Sequence, residues 1–174
     1  YVIFLDSDDY WDDRNFLMQM QKVVFEKKTD IVIYGYCKLY GTRLIQGKTM
    51  EMQCAAVTKI LESDQYNICA WDKAVRKDIL DRNNIRFSKD VCSEDMEWCA
   101  KLYQFANTCL VMPITPYVYR QRGGSITKTI SEKNIVDVRS NYLRCVALQP
   151  KMEKTKSEKY SLYLAKNLSM FIIA

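Results

Sequence analysis

The sequence predicts an α/β fold, on the basis of three stretches within its first 36 residues. Residues 1–5 are apolar and lead directly into a group of acids, as a strand buried on both faces does where it reaches a sheet edge. Residues 31–36 are β-branched or aromatic apart from Gly35, which predicts a second strand of the same sheet. Between them, from residue 16 to about residue 28, apolar side chains recur at the spacing of an amphipathic helix. These side chains are Phe16, Leu17, Met20, Val23 and Val24.

The later elements are predicted from local signals of the same kind. Gly41 and Gly47 interrupt an extended stretch, and Asn83-Asn84 is a turn signal that ends a short helix. In chain order we expect a hairpin or irregular loop over 37–50, short helices over 54–61 and 76–82, a strand over 108–112, and amphipathic helices over about 132–148 and 156–173.

Composition excludes several classes of chemistry. The chain has 174 residues, enough for one domain with its own core. It contains no histidine, which excludes Ser-His-Asp and Cys-His nucleophile systems and histidine-ligated zinc, so acid-base chemistry falls mainly to Asp or Glu. Seven cysteines without a C-x-x-C pair predict reduced core residues in a cytoplasmic protein. We expect no signal peptide and no membrane span.

Charge is distributed unevenly along the chain. The net charge is +5, but residues 1–119 carry a net −2 and residues 120–174 a net +7. A basic C-terminal part suits phosphate groups or an anionic membrane surface, such as the inner face of the membrane. A solvated helix face is the commoner explanation for such a charge pattern.

The first acidic cluster is Asp6-Ser7-Asp8-Asp9. Three carboxylates within four residues repel one another unless they are solvated, paired or bound to a hard cation, and we predict the cation. A calcium loop counted from Asp6 would need Gly and Glu where the chain has Trp11 and Leu17. A phosphatase of the haloacid dehalogenase type, which also begins with a strand and D-x-D, stays open. So does a solvated loop in which Asp12 or Asp13 caps the next helix.

The second acidic cluster follows Ser93, a good N-cap residue, so Glu94 and Asp95 fall in the first turn of a helix. Negative charge is favourable there, which leaves a purely structural origin open. Helical spacing puts Asp95 at the head of the apolar seam, whereas Glu94 shares a side with Glu97 and Lys101, a pair that we expect to be exposed. The seam continues through Trp98, Cys99, Leu102, Phe105 and Ala106.

Two further stretches have ligand-binding chemistry. Trp71 and Asp72 suit a sugar site, because a ring face packs on a pyranose while a carboxylate accepts from its hydroxyls. The alternative is that Trp71 lies in the core and Asp72 is a cap. Arg120 and Arg122 precede Gly123-Gly124, and the combination predicts a mobile loop that can close on phosphate.

Taken in order, these motifs resemble the nucleotide-sugar glycosyltransferases of family 2, which share the fold called GT-A. The resemblance implies that residues 1–127 are the later part of a catalytic domain, a partial GT-A fold with a Rossmann-like mixed sheet flanked by helices, and that residues 128–174 are a helical extension. It is closest to bacterial enzymes that build capsule, lipopolysaccharide or wall polysaccharide. The resemblance rests on residues 4–11, on 71–73 with Phe87 after them, on 93–98 and on 119–125.

The resemblance also implies how the donor is bound. Asp6 and Asp8 match the D-x-D motif of the family. Asp6 would approach the ribose and the metal, and Asp8 would ligate Mn²⁺ or Mg²⁺ on the diphosphate of a nucleotide-diphosphate sugar. Arg120 or Arg122 would steady the departing diphosphate.

The implied reaction is that of an inverting, metal-dependent hexosyltransferase. Asp95 matches the catalytic base of the family and Glu94 its acidic neighbour, and the base takes the proton of an acceptor hydroxyl. Trp71 and Asp72 would bind the acceptor, a saccharide or a lipid-linked molecule. We expect no nucleic-acid partner, whereas peripheral contact with a membrane surface is compatible with the basic C-terminal part.

In the family, the D-x-D strand comes midway through the nucleotide-binding half, whereas here it is at residue 1. We therefore expect an N-terminally truncated domain that is inactive alone, with an open sheet edge that favours a homodimer. The competing classes are the phosphatase-like hydrolase and a non-catalytic binding module.

Overall fold

The structure is a computed structural model that describes residues 1–47, 53–63, 68–122 and 131–172. Three predictions fall partly outside these residues: the end of the 37–50 stretch, the Gly123-Gly124 loop and the last residue of the final helix. The described residues form nine β-strands, six α-helices and one 3-10 helix, which confirms the predicted α/β class.

The bounds of the elements, in chain order, are as follows. The first half contains β1 (Val2–Ile3), β2 (Tyr10–Trp11), α1 (Phe16–Lys27), β3 (Ile31–Ile33), β4 (Tyr36–Tyr40), β5 (Arg43–Gln46), β6 (Gln53–Ala56), α2 (Val57–Glu62), β7 (Lys73–Val75) and α3 (Lys77–Arg82). The second half contains α4 (Glu94–Phe105), β8 (Thr108–Val111), β9 (Tyr117–Gln121), α5 (Glu132–Leu148), the 3-10 helix (Gln149–Lys151) and α6 (Lys154–Ile172).

The strands form two mixed sheets. The first has the order β1-β7-β3-β8-β6, and its central strand β3 is antiparallel to β7 and parallel to β8. The second has the order β2-β9-β4-β5, in which β9 is antiparallel to β2 and parallel to β4. All three residues of β3 have no exposed surface, as expected for a strand with a partner on each side. The predicted strand over 31–36 is therefore divided, because Tyr36 already belongs to the second sheet.

The prediction that residues 1–5 form a strand buried on both faces is wrong. The strand β1 has two half-buried residues and lies at the edge of its sheet, and Leu5 is 45% exposed. An edge strand has a neighbour on one side only, so part of its surface stays open.

Of the two alternatives for residues 37–50, a hairpin or an irregular loop, the hairpin is present: β4 and β5 pair antiparallel through a turn with Gly41 at φ +59°. Such a backbone angle suits glycine in a two-residue hairpin turn. The predicted helix over 54–61 is partly wrong, because residues 53–56 pair in the sheet and the helix begins at Val57. The strand β7 was not predicted at all.

The helix α1 begins at Phe16, and Asp13 organises the turn before it. One carboxylate oxygen of Asp13 accepts from the Asn15 N–H (2.8 Å) and the other from the Gln19 side chain (3.0 Å). Of the apolar residues predicted to face the core, Leu17 is 54% exposed, which is a correction to the helical seam. The long helix predicted over 132–148 is confirmed by α5.

The chain divides into two compact units that interleave along the sequence. Unit 1 comprises Tyr1–Cys54, Trp71–Lys77 and Thr108–Thr129, and unit 2 comprises Ala55–Ala70, Asp78–Asn107 and Ile130–Ala174. The boundary at residue 127 stays a prediction. No helix within the residues that the structure describes has the length and hydropathy needed to cross a bilayer.

Candidate functional site

The first acidic cluster lies in the loop between β1 and β2, in unit 1. The loop turns sharply, since the N–H of Asp9 donates to the carbonyl of Asp6 (3.1 Å). Asp6 and Asp8 are exposed, whereas Asp9 is buried. The three acids therefore differ in role, and two carboxylates are accessible to a ligand.

Asp9 anchors this loop to β9. Its Oδ2 accepts from the Tyr117 hydroxyl (2.7 Å) and its Oδ1 from the N–H of Arg120 (2.8 Å). The same hydroxyl accepts from the N–H of Asp6 (3.3 Å), so Tyr117 contacts both ends of the turn. Burial raises the pKa of Asp9 above its ordinary value, although the bonds from Arg120 and Tyr117 favour the charged form.

Strand pairing explains why Asp9 meets Arg120. The strand β2 runs antiparallel to β9 with Tyr10 opposite Val118, which brings the residues before Tyr10 beside those after Val118. The Arg120 guanidinium lies 4.9 Å from the centre of the Tyr10 ring, a cation-π distance. The structure therefore brings Arg120 to the acidic loop. Arg122 is exposed just beyond the end of β9, and its role stays a prediction.

Trp71 lies in an aromatic cluster formed by Tyr36, Trp71, Tyr117 and Tyr119. It stacks on Tyr117 at 4.4 Å between ring centres and meets Tyr36 edge to face at 5.0 Å. Only 6% of Trp71 is exposed. This is the arrangement that the core alternative predicts for Trp71, and it packs the indole against the ring face of Tyr117. Contact of Trp71 with an acceptor stays a prediction.

Asp72 is fully buried and forms an ion pair with Lys73, which is also fully buried. The backbone on either side is held as well, because the Tyr34 hydroxyl donates to the Trp71 carbonyl (2.6 Å) and the Tyr34 N–H to the Asp72 carbonyl (3.0 Å). A charge without exposed surface needs such a partner. The predicted contact of Asp72 with an acceptor is untested.

The second acidic cluster begins α4, in unit 2. The helix starts at Glu94 as predicted, but Ser93 makes no capping side-chain bond and has the left-handed angle φ +58°. Glu94 and Asp95 are both half-buried. Asp95 Oδ2 accepts from the N–H of Ala70 (3.0 Å), which gives its carboxylate a defined direction.

The structure corrects the prediction that Glu97 and Lys101 form an exposed pair. The pair is present at 2.7 Å, but Glu97 is only 5% exposed. It also accepts from the hydroxyl of Ser88 (2.8 Å) and from the Arg144 guanidinium (2.7 Å). Burial raises its pKa, but these three bonds together hold the pKa below its ordinary value. Within the predicted seam, Phe105 is 40% exposed, so that assignment is wrong.

Sequence reasoning missed the part of α5 that contacts this cluster. Asn141 donates to the carbonyls of Cys92 (2.7 Å) and Ser93 (3.0 Å), and Asp137 accepts from the N–H of Cys92 (3.0 Å). Asp137, Asn141 and Arg144 are spaced four and three residues apart, so they lie on one helical face. This polar spacing within an amphipathic helix is the signal that could have identified them.

The exposed acids Asp6 and Asp8 have the donor chemistry of a Mg²⁺ or Mn²⁺ site. Mg²⁺ is commonly held by one or two carboxylates, with substrate phosphates among its other ligands. Within residues 1–47, 53–63, 68–122 and 131–172, no three or more His, Cys, Asp or Glu side chains are grouped to hold a metal ion. The pair fits a cation whose other ligands come from a phosphate-bearing substrate.

The first acidic cluster thus lies in a loop at strand ends of an α/β fold, which is where ligands commonly bind in this class of fold. No protein-family model matches the chain, and no curated protein does. Among solved structures, the chain is similar to S. aureus TarS 1-349 in complex with UDP-GlcNAc, with a TM-score of 0.70 and 21% identity over 96% of this chain and 47% of that chain.

Two further structures of the same protein give similar values. The complex of S. aureus TarS 1-349 with UDP has a TM-score of 0.71 and 20% identity over 96% of this chain and 45% of that chain. S. aureus TarS has a TM-score of 0.68 and 20% identity over 96% of this chain and 27% of that chain. At these identities the likeness shows the fold, and this chain spans less than half of each of the three.

Proposed function

We propose that the chain is part of a glycosyltransferase that takes its sugar from a nucleotide-diphosphate sugar. The observation that carries this proposal is the exposed pair Asp6 and Asp8, held by the buried Asp9, in a fold similar to that of a protein crystallised with UDP-GlcNAc. In this proposal residues 1–127 belong to a GT-A catalytic domain of family 2.

Donor binding is assigned to the first acidic cluster. Asp6 and Asp8 would hold Mn²⁺ or Mg²⁺, which when bound neutralises charge on the departing diphosphate. The Tyr117 hydroxyl holds the backbone of Asp6, and Asp9 holds that hydroxyl, so the turn is ordered before a donor arrives. Arg120, beside the same loop, supplies positive charge toward the diphosphate, and we assign Arg122 the same role.

Proton transfer is assigned to the second acidic cluster. The acceptor hydroxyl forms a bond to the anomeric carbon while the bond from that carbon to the diphosphate breaks, which inverts the configuration. Asp95 takes the proton that the hydroxyl releases, because the chain has no histidine to do so. The Ala70 N–H donates to Asp95 Oδ2, which gives the carboxylate a defined direction. Glu94 is the acidic neighbour.

The proposed biological setting is bacterial cell-surface polysaccharide synthesis in the cytoplasm or at the inner face of the membrane. The donor sugar is a hexose and the acceptor is a saccharide or lipid-linked hydroxyl. Trp71 and Asp72, buried in this structure, would reach an acceptor only after rearrangement, and they otherwise support Tyr117 and β7.

A donor panel tests the proposal. The full-length polypeptide that contains this chain is incubated with UDP-, GDP- and TDP-hexoses and Mn²⁺, and release of nucleoside diphosphate is measured. We expect release from one or a few donors and none after chelation of the metal. p-Nitrophenyl phosphate is the control substrate, since its hydrolysis would identify the phosphatase-like alternative. No response to any nucleotide sugar or metal would indicate a non-catalytic binding module.

A further inference from the structure

The first turn of α4 is held by α5, and we infer that Asn141 positions Asp95 for proton transfer. This inference rests on the proposed function, in which Asp95 is the base. Asn141 makes no contact with a substrate in this scheme, and it acts through the backbone that carries the acid. The extension predicted at 128–174 would then be required for chemistry as well as for packing.

The contact is specific in its chemistry. Asn141 has no exposed surface, and its Nδ2 donates to two consecutive carbonyls, those of Cys92 (2.7 Å) and Ser93 (3.0 Å). The same helix also holds the N–H of Cys92 through Asp137 Oδ2 (3.0 Å). The peptide planes before and after Ser93 are therefore both fixed by one amide group.

Fixing these two planes determines the backbone angles of Ser93. Its φ of +58° and ψ of +38° lie in the left-handed region, which residues with a side chain seldom occupy unless the surroundings stabilise it. Since α4 begins at the next residue, Glu94, the two angles set the direction of the first helical turn. That direction decides where the Asp95 carboxylate points.

Arg144 sets the orientation of the Asn141 amide. Its guanidinium donates to Asn141 Oδ1 and, through Nε, to Glu97 Oε2 (2.7 Å). With Oδ1 held by a cation, Nδ2 must face the two carbonyls. The Ala70 N–H also donates to one oxygen of Asp95 (3.0 Å), so the acid is held both through its own backbone and by a neighbouring loop.

The other end of α4 provides a matched control. Lys156, 8% exposed, donates to the carbonyls of Gln104 (3.2 Å) and Ala106 (2.7 Å) and to Asn107 Oδ1 (3.0 Å). This is the same kind of buried contact to backbone carbonyls, and a helix of 12 residues puts it about 18 Å from the first turn. Lys156→Met should lower stability without moving Asp95.

The test measures kcat and donor KM in the full-length protein for Asn141→Asp, Lys156→Met and Asp95→Asn, and for Asn141→Asp combined with Asp95→Asn. Asn141→Asp preserves shape but replaces two donors by acceptors. We expect kcat to fall about 10- to 100-fold with donor KM nearly unchanged, because a displacement of about 1 Å has effects of this size. Lys156→Met should keep kcat within about 2-fold of wild type.

The double variant separates positioning from general destabilisation. If Asn141 acts through Asp95, adding Asn141→Asp to Asp95→Asn should cause no further loss of rate. Unchanged kcat in Asn141→Asp, or losses that multiply in the double variant, would overturn the inference while the proposed function stands. Near wild-type transfer by Asp95→Asn would overturn the inference together with the assignment of Asp95 as the base, whereas absence of transfer by the wild-type protein would overturn the proposed function. If Asn141→Asp does not fold, Asn141→Ser, which keeps one donor, is judged by the same criteria.

Discussion

In the loop at residues 6–9 the buried acid is held by neutral donors, whereas in the first turns of α4 the buried acid is held mainly by cations. Asp9 accepts from a hydroxyl and a backbone N–H, and Glu97 accepts from Lys101, Arg144 and one hydroxyl. The pKa of Asp9 is raised by burial, and the pKa of Glu97 is lowered despite burial. Neutral donors compensate less of the cost of burying a charge than cations do.

Both clusters nevertheless divide their acids in the same way. One acid is buried with both oxygens accepting hydrogen bonds, Asp9 in the loop and Glu97 in the helix. Its neighbours keep more exposed surface: Asp6 and Asp8 are exposed, and Glu94 and Asp95 are half-buried. An acid with a buried anchoring role is a poor candidate for chemistry, because its oxygens are already in use. The comparison therefore predicts that accessible acids affect catalysis and ligand binding, whereas anchoring acids affect stability and its pH dependence.

The largest effect is expected at Asp95. In the full-length protein, Asp95→Asn should lower sugar transfer by a factor on the order of 10² to 10⁴, because the amide cannot take the acceptor's proton. Donor affinity should change little, since we assign donor contacts to the other cluster. Initial rates and donor titrations measure both quantities.

Glu94→Gln is the control for Asp95, since it removes a charge from the same helical turn. If it keeps most of the activity while Asp95→Asn loses it, the two half-buried acids differ in role as proposed. A larger loss in Glu94→Gln than in Asp95→Asn would contradict the assignment of the base. Loss of a favourable first-turn charge alone would cost about 0.3 to 1 kcal/mol of stability and leave turnover intact.

The next effect concerns the exposed acids of the loop. Mn²⁺ and a nucleoside diphosphate together should raise the thermal stability of the full-length protein more than either does alone, because the metal bridges the two. Binding at 100 times the dissociation constant adds about 2.7 kcal/mol. Asp8→Asn should abolish this synergy, as measured by the shift in melting temperature.

Asp12→Asn is the matched control for Asp8, because Asp12 is an exposed acid just outside the D-x-D motif. It should retain the synergy. Identical melting shifts in wild type and Asp8→Asn would mean that the exposed pair in the loop does not hold the metal. The assignment of ligand binding to the exposed acids of this loop would then be wrong.

The smallest effect, on stability, tests the anchors directly. Glu97→Gln should lower the free energy of unfolding by about 2 kcal/mol at neutral pH, because bonds to a charged acceptor are lost. The folded pKa of Glu97 is below its ordinary value of 4.5, so its stabilisation is present above pH 4.5 and is lost as the pH falls through the folded pKa. Urea unfolding between pH 7 and pH 3 measures this.

The contribution of Asp9 to the free energy of unfolding should change with pH in the opposite direction to that of Glu97. The folded pKa of Asp9 is above the ordinary value of 3.8, so the folded state takes up a proton first and gains stability as the pH falls from the folded pKa toward 3.8. The difference in unfolding free energy between wild type and Asp9→Asn should therefore increase on acidification, while the difference between wild type and Glu97→Gln decreases. If both differences in unfolding free energy changed with pH in the same direction, Asp9 and Glu97 would not differ as the structure indicates.

Local pattern by itself determined much of the order of elements. The bounds of α5, the start of α4 at Glu94 and the hairpin with Gly41 were all predicted from periodicity and turn residues. These features depend on interactions among residues close in sequence, so the chain contains the signals that specify them. The two groups of acids were also recognisable, because charge density is a property of composition.

Tertiary structure alone decided which acid in each group is buried. Asp9 is buried because Tyr117, 108 residues later, pairs with it across β2 and β9, and Glu97 because Arg144, 47 residues later, reaches it from α5. The half-burial of β1 at the edge of its sheet, and the buried Asp72–Lys73 pair, likewise depend on neighbouring strands. Solvation and pairing of a carboxylate are set by groups brought near in space, and spacing along the chain carries no information about groups so distant in sequence.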